Sequence, residues 1–313
     1  HFAVACVVSI IWVILGYSLA FSSGNAWIGD LSNIFMKSID LESISGTIPE
    51  SLFATFQMTF AIITPALIIG AFVERIKFSA MLIFISLWIL IVYVPVTHWV
   101  WGGGILSSWG TMDFAGGIVV HATAGTAALI TALTLGKRRG FPKSITPPHS
   151  PILTMIGAAM LWVGWFGFNA GSALGANGGA GMAMLVTHIS ASMAALVWMF
   201  IEWKRFGKPS LIGVVTGMVA GLATVTPASG YIGIPGGLVL GFSGGLLCYL
   251  AVDYIRGKLL IDDSLDVFAV HGVGGILGTL LVAFLATSTF SGLGLPEGQT
   301  AMSQFAVQIK AVI

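Results

Sequence analysis

Charge is scarce in this chain: 12 acidic and 13 basic residues among 313 make 8%, against roughly 25% in a soluble domain. A net charge of +1 leaves no basic field for a phosphate backbone, which excludes nucleic acid as a partner. Cysteine is nearly absent too. Cys6 and Cys248 each sit in a long apolar run, so no disulfide framework or cysteine-rich metal site is available. No G-x-x-x-x-G-K-[ST], C-x-x-C or H-E-x-x-H motif occurs, and no enzyme and no cofactor are expected. What remains is apolar: 57% hydrophobic residues, 41 glycines and a mean hydropathy of +0.98. That is the composition of a membrane protein, with the lipid bilayer as its first partner.

Crossing a bilayer as helix takes about 20 apolar residues. Such runs fall near 2–21, 51–73, 79–99, 114–136, 152–172, 180–201, 211–229, 232–252 and 267–289, nine complete spans, and a tenth begins near Ala301 and stops at Ile313. Eleven of the 13 basic residues lie in alternate loops: Arg75 and Lys77; Lys137, Arg138, Arg139 and Lys143; Lys204, Arg205 and Lys208; Arg256 and Lys258. By the positive-inside rule those loops are cytoplasmic and His1 is inside. The longest outer loop, about Ser22 to Glu50, carries Asp30, Asp40, Glu42 and Glu50, an acidic lip that attracts cations. With no basic leader and no initiator Met, the start is expected to be a truncation rather than a signal peptide. Glycines at every fourth residue (Gly213, Gly217, Gly221) suit close helix packing in lipid.

Ionisable side chains inside spans are costly and need partners. His121 lies in DFAGGIVVHATAGTAALITALTLG and His271 in DVFAVHGVGGILGTLLVAFLA, each after an aspartate (Asp113, Asp266) and before small residues. The two segments read as related halves. Five helical passes separate them, an odd number, so the halves are inverted in the membrane and a working site is expected at their interface. Two imidazoles meeting in a dry cavity either relay protons and hydrogen-bond a small polar solute, or are structural groups held by carbonyls. Two histidines without a third ligand fall short of a metal site. Asp113 and Asp266 read as N-caps, with Asp113 on the outer side also able to help hold a cation. Phe56 and Phe60, Trp101 in HWVWGGG, and Trp165, Phe166 and Phe168 in GWFGFNAGSA read singly as packing; together with Ser172 they suit a small cation, at roughly 0.5 to 2 kcal/mol per desolvated cation–π contact.

At DFAGGIVVHATAGTAALITALTLGKRRGF the sequence resembles the ammonium transporter family (Amt/Mep/Rh), and the likeness covers most of residues 10 to 290. The likeness continues through ILGYSLAF, FQMTFAIITPALIIGAFVERIKF, HWVWGGG, GWFGFNAGSA, GKPSLIGVVTGMVAGLATVTPASGYIG and DVFAVHGVGG, with FQMTF and FNAGSA similar to the Amt branch. The resemblance implies an all-α integral membrane fold of two inverted five-helix repeats, with eleven spans in a complete member, and a single transporter domain over residues 1–313. It implies transport of ammonium or ammonia, possible also for methylammonium, by a homotrimer with one pore per subunit. An outer recruitment site falls on Phe56, Phe60, Trp101 and Ser172, a stacked gate on Phe60 and Phe168, twin pore histidines on His121 and His271, a structural aspartate on Asp113 and a pore-side tryptophan on Trp165. It further implies that this chain lacks the first span and most of the last, and that the cytoplasmic tail on which nitrogen-regulatory proteins act lies beyond Ile313. Two alternatives stay open: a sensor fused to a signalling domain, and an Rh-like neutral ammonia channel. His188 departs from the family pattern and has no assigned role.

Overall fold

The computed structural model describes residues 1–313 as a bundle of apolar helices. They are α1 (Phe2–Phe21), α2 (Glu50–Phe72), α3 (78–101), α4 (Gly117–Leu135), α5 (Pro151–Gly171), α6 (Gly178–Phe206), α7 (Leu211–Val225), α8 (Ile234–Gly257), α9 (Phe268–Leu285) and α10 (Ala301–Val312). Eight are long and apolar enough to cross a membrane. The exception among the nine expected spans is α7, with 15 residues where the hydropathy suggests 211–229. It stops because Pro227 has no N–H to continue the ladder; its carbonyl instead accepts from Phe114 N at 3.0 Å. The outer loop between α1 and α2 folds back on itself through a two-residue ladder, β1 (Ile44–Ser45) against β2 (Ile48–Pro49).

Helices α1 to α4 share one core around Trp12, Tyr93, Phe60 and Phe72. Helices α6, α7 and α8 pack on one another, with α5 against α6 and α7, and α9 against α7 and α8. The two groups meet where α4 crosses α9. At that crossing both chains are reduced to backbone: a Cβ on Gly125 would lie 2.4 Å from the Gly272 Cα. Glycine at this pair lets α4 and α9 approach far enough for side chains one turn away to touch.

The ends of α2 and α4 are tied to the start of α9 by one buried carboxylate. Asp262, just before α9, receives the Arg138 guanidinium at 2.8 Å and the Arg138 N–H at 2.6 Å, and lies 3.8 Å from Arg75. Arg75, at the end of α2, also donates to the carbonyls of Ala71, Gly136 and Asp262 and to Ser264 Oγ. One aspartate and two arginines thus join the ends of α2 and α4 to the start of α9. Burial alone would raise the Asp262 carboxyl, but the Arg138 hydrogen bonds and the two guanidinium charges outweigh it and hold it below its ordinary range. A depressed carboxyl stabilises the fold at neutral pH and loses that contribution only as pH falls below the usual carboxylate range. Asp262→Ala removes the carboxylate from two partly buried guanidiniums and is expected to cost about 3 kcal/mol, read as a lower midpoint of thermal denaturation at pH 7, with the deficit shrinking in acid.

Candidate functional site

Helices α4 and α9 both start among largely buried residues. Each follows an irregular segment that enters the fold, and each opens with a wide π-type turn, Gly117–Ala122 and Phe268–Gly272, that contains its histidine. A helix start away from water needs acceptors for its first N–H groups. In the first half Asp113 supplies them: its carboxylate accepts from the N–H groups of Gly116, Gly117, Ile118 and Val119 at 2.8, 2.6, 2.8 and 3.1 Å. In the second half the cap is Asp263, which accepts from Phe268 N at 2.7 Å. Asp266, read from the sequence as the second cap, instead pairs with Arg256 at 2.9 Å. The reason is register. Asp113 and Asp263 both stand eight residues before their histidines, and Asp266 stands five before, where the first half has Gly116. Both of those residues are left-handed, Gly116 at φ 114° and Asp266 at φ 56°.

The two histidines meet at the α4–α9 crossing. Both are buried, with Nδ1 to Nδ1 at 3.2 Å and ring centroids 5.2 Å apart. One Nδ1 must donate and the other accept, so the rings hold complementary tautomers. His121 Nε2 is buried and has no hydrogen-bond partner.

Above His121 the aromatics form a continuous column. Its ring lies nearly parallel to Trp165 (5.4 Å, 15°) and to Phe168 (6.0 Å, 13°). Phe168 packs on Phe60 at 4.5 Å, and Phe60 meets both Phe56 (4.9 Å) and Trp101 (5.4 Å) edge to face. The Trp101 indole donates to the Asp113 carbonyl at 2.8 Å. Ser172 ends α5 and donates to the Phe168 carbonyl at 2.9 Å. A mostly apolar cavity of about 540 Å³ runs between α2 and α5 past Phe56, Phe168 and Trp165 to His121. A larger one, about 600 Å³ between α3, α4 and α10, touches none of these rings.

Sequence reasoning missed the groups behind the column. The Trp165 indole donates to Thr226 Oγ1 at 2.9 Å; Thr226 faces Asn169 Oδ1 at 3.3 Å, and Asn169 Nδ2 donates to Thr187 Oγ1 at 2.9 Å. All three polar residues are fully buried, and they fix the tryptophan that faces His121. Asn169 stands inside FNAGSA, and an amide in an apolar span was the available signal. His98, in HWVWGGG, lies with its ring nitrogens 2.9 Å from the Ala20 carbonyl and 2.8 Å from that of Asn25, fastening the outer loop to α3. His188 is exposed and stacks on Trp162 at 5.1 Å, away from the column. The pentad Gly241–Gly245 has G-x-S-x-G spacing, but it lies within α8 with Ser243 bonded to the Val239 carbonyl, so it forms no nucleophile elbow.

Two buried, paired histidines thus lie where two related segments cross, beside a column of rings, in an all-α bundle with membrane-spanning helices. The family described as Ammonium Transporter Family matches residues 1–313. The chain is 48% identical over 304 residues to the putative ammonium transporter of Methanothermobacter thermautotrophicus, spanning 95% of this chain and 74% of that protein. It is 47% identical over 284 residues to ammonium transporter Amt1 of Archaeoglobus fulgidus, spanning 90% and 70%. It superposes on the crystal structure of Saccharomyces cerevisiae Mep2 with a TM-score of 0.89 and 36% identity, over 99% of this chain and 73% of that one. A structure described as a sensor Amt protein matches at 30% identity with a TM-score of 0.90, over 99% and 78%. The chain belongs to the ammonium transporter family, and it is a multi-pass membrane protein.

Removing the hydroxyl behind Trp165 tests the support network. Thr226→Val keeps the shape and leaves the indole N–H without its partner; a loss of about 1 kcal/mol is expected as a lower thermal midpoint, with Thr226→Ser close to the parent.

Proposed function

We propose that this protein recruits ammonium at the outer rings, strips its proton there, and conducts ammonia past His121 and His271. The observation that carries the reading is His121 Nε2, a buried polar atom with no partner, at the inner end of the ring column. An unpaired buried nitrogen costs free energy unless something hydrogen-bonds it in use, and ammonia both donates and accepts.

The physics of the path favours a neutral solute. Moving an ion into a low-dielectric interior costs on the order of 20 kcal/mol in the idealised limit, which a few ring contacts cannot offset. Potassium, similar in size to ammonium, has no way around that cost. Ammonium has one, because it can release a proton. Phe56, Phe60 and Trp101 offer ring surface to the cation at the outer end, and the Ser172 oxygen keeps lone pairs to accept an ammonium N–H. Phe60 and Phe168, 4.5 Å apart, close the passage to hydrated ions and part as rotamers change. Below them the neutral molecule exchanges hydrogen bonds with His121 and then His271. The released proton returns outside or passes separately through the 3.2 Å histidine pair. Residues 1–313 form a single transport domain in this reading. The bare apolar side of α5, with Ile152, Met160 and Val163 exposed, suits packing against sister subunits in a homotrimer.

A sensor is the second reading, favoured by the likeness to the sensor Amt structure, whose fold is equally close. Ammonium-evoked current in proteoliposomes separates the two, since a sensor binds without sustained current or ammonia flux. Trp101→Leu is expected to weaken recruitment while leaving transport in place. His121→Asp and His271→Glu put a fixed negative charge at the crossing and are expected to admit potassium; continued exclusion of potassium in both variants would sink the deprotonation account.

A further inference from the structure

The segment Gly110–Ala115 carries the Asp113 cap and the carbonyl that holds the Trp101 indole, yet it belongs to no helix or sheet. Its buried backbone groups must therefore find partners elsewhere. For Met112 one side chain supplies both. Gln308, on α10, accepts from the Met112 N–H at 2.9 Å and donates to the Met112 carbonyl at 2.8 Å, as a neighbouring strand would. Its second donor N–H goes to the Thr279 carbonyl on α9 at 2.9 Å, and its oxygen also accepts from Gln304 Nε2 at 3.1 Å. Gln304 in turn donates to the Gly110 carbonyl at 3.0 Å. Both glutamines are fully buried.

All four hydrogen-bonding positions of the Gln308 amide are filled, two accepted and two donated. The Met112 N–H settles which end is oxygen. Asparagine is one methylene short of this reach, and glutamate has no N–H for the two carbonyls. Chain and side chain are thus matched at a point one residue from Asp113, which is bonded through its carbonyl to Trp101 and through its carboxylate to the start of α4.

We infer that Gln308 is a positioning residue for substrate recruitment: it holds Met112 so that Asp113 presents its carbonyl to Trp101 and sets the indole against Phe60. This rests on the reading of Trp101 as part of the outer site. Without the amide, Met112 has two orphaned buried groups, the segment relaxes, and the indole loses its fixed partner.

The test is ammonium-evoked current in proteoliposomes for Gln308→Leu, Gln308→Glu, Trp101→Leu and the Gln308→Leu/Trp101→Leu double variant. The half-saturating ammonium concentration is expected to rise about three- to tenfold in the Gln308 variants, the equivalent of one lost buried hydrogen bond, with maximal current near the parent's. The double variant is expected to match Trp101→Leu alone, because both act through one indole. A merely structural glutamine would lower maximal current or yield of folded protein without moving half-saturation, and would multiply with the tryptophan variant; either result overturns the inference. If Trp101→Leu shifts half-saturation and the Gln308 variants do not, this inference falls alone. If Trp101→Leu shifts nothing, the outer-site reading falls and takes this inference with it. Should the variants fail to fold, hydrogen exchange on the unaltered protein decides: the peptide over 110–114 is expected to exchange as slowly as a membrane span, and fast exchange overturns the assignment.

Discussion

A helix that begins among buried residues leaves its first N–H groups without water, and α4 and α9 both begin that way. The carboxylates of Asp113 and Asp263 are what make those starts tolerable, one accepting four backbone N–H groups and the other reaching Phe268. Because the helices start deep, the histidines in their first turns lie in the interior instead of at opposite faces. Because Gly125 meets Gly272 at the crossing, the two imidazoles reach 3.2 Å. The site is therefore a consequence of where two helices are allowed to begin.

A second constraint works outward from the same point. Each buried polar group that shapes the ring column is satisfied by a residue from another helix: Trp165 by Thr226 on the segment after α7, Asn169 on α5 by Thr187 on α6, and Met112 by Gln308 on α10. Unpaired polar groups are costly in a low-dielectric interior, so such links fix geometry even where each adds little net stability. Apolar packing brings the helices together, but it is nearly indifferent to small rotations. The hydrogen bonds choose among them. His121 Nε2, at the end of the column, has no such partner, and neither does Gln304 Oε1 beside Gln308.

Much of this was legible in the amino-acid sequence, for identifiable reasons. The spans follow from hydropathy because a bilayer imposes a length, and the paired histidine segments follow from their shared pattern of aspartate, histidine and small residues. The shortened α7 was hidden because hydropathy continues past Pro227 while the hydrogen-bond ladder cannot. Asp266 was mistaken for a cap because it is the nearer aspartate to Val267, whereas the offset from the histidine, eight residues in each half, points to Asp263. Thr226, Thr187 and Gln308 were invisible for a different reason. Each is an ordinary polar residue in an apolar run, and only the distant partner across the fold distinguishes it from a residue facing water.

The division of labour between the two halves follows from their inversion. Related segments with opposite direction bring like residues together from opposite sides, so a cap near the outside has its counterpart near the inside. The surroundings then differ. Asp113 sits among backbone N–H groups with Trp101 on its carbonyl, in a segment stitched to α10, whereas Asp263 lies beside Asp262 and Asp266, which are paired with Arg138, Arg75 and Arg256. The outer half thus keeps its carboxylate bonded to backbone N–H groups, next to ring surface and free of cationic side chains. The inner half balances its three carboxylates with three guanidiniums, so the charges there cancel locally and tie the helix ends together. One backbone plan thus carries a lone carboxylate bonded to N–H groups in the first half and a cluster of ion pairs in the second.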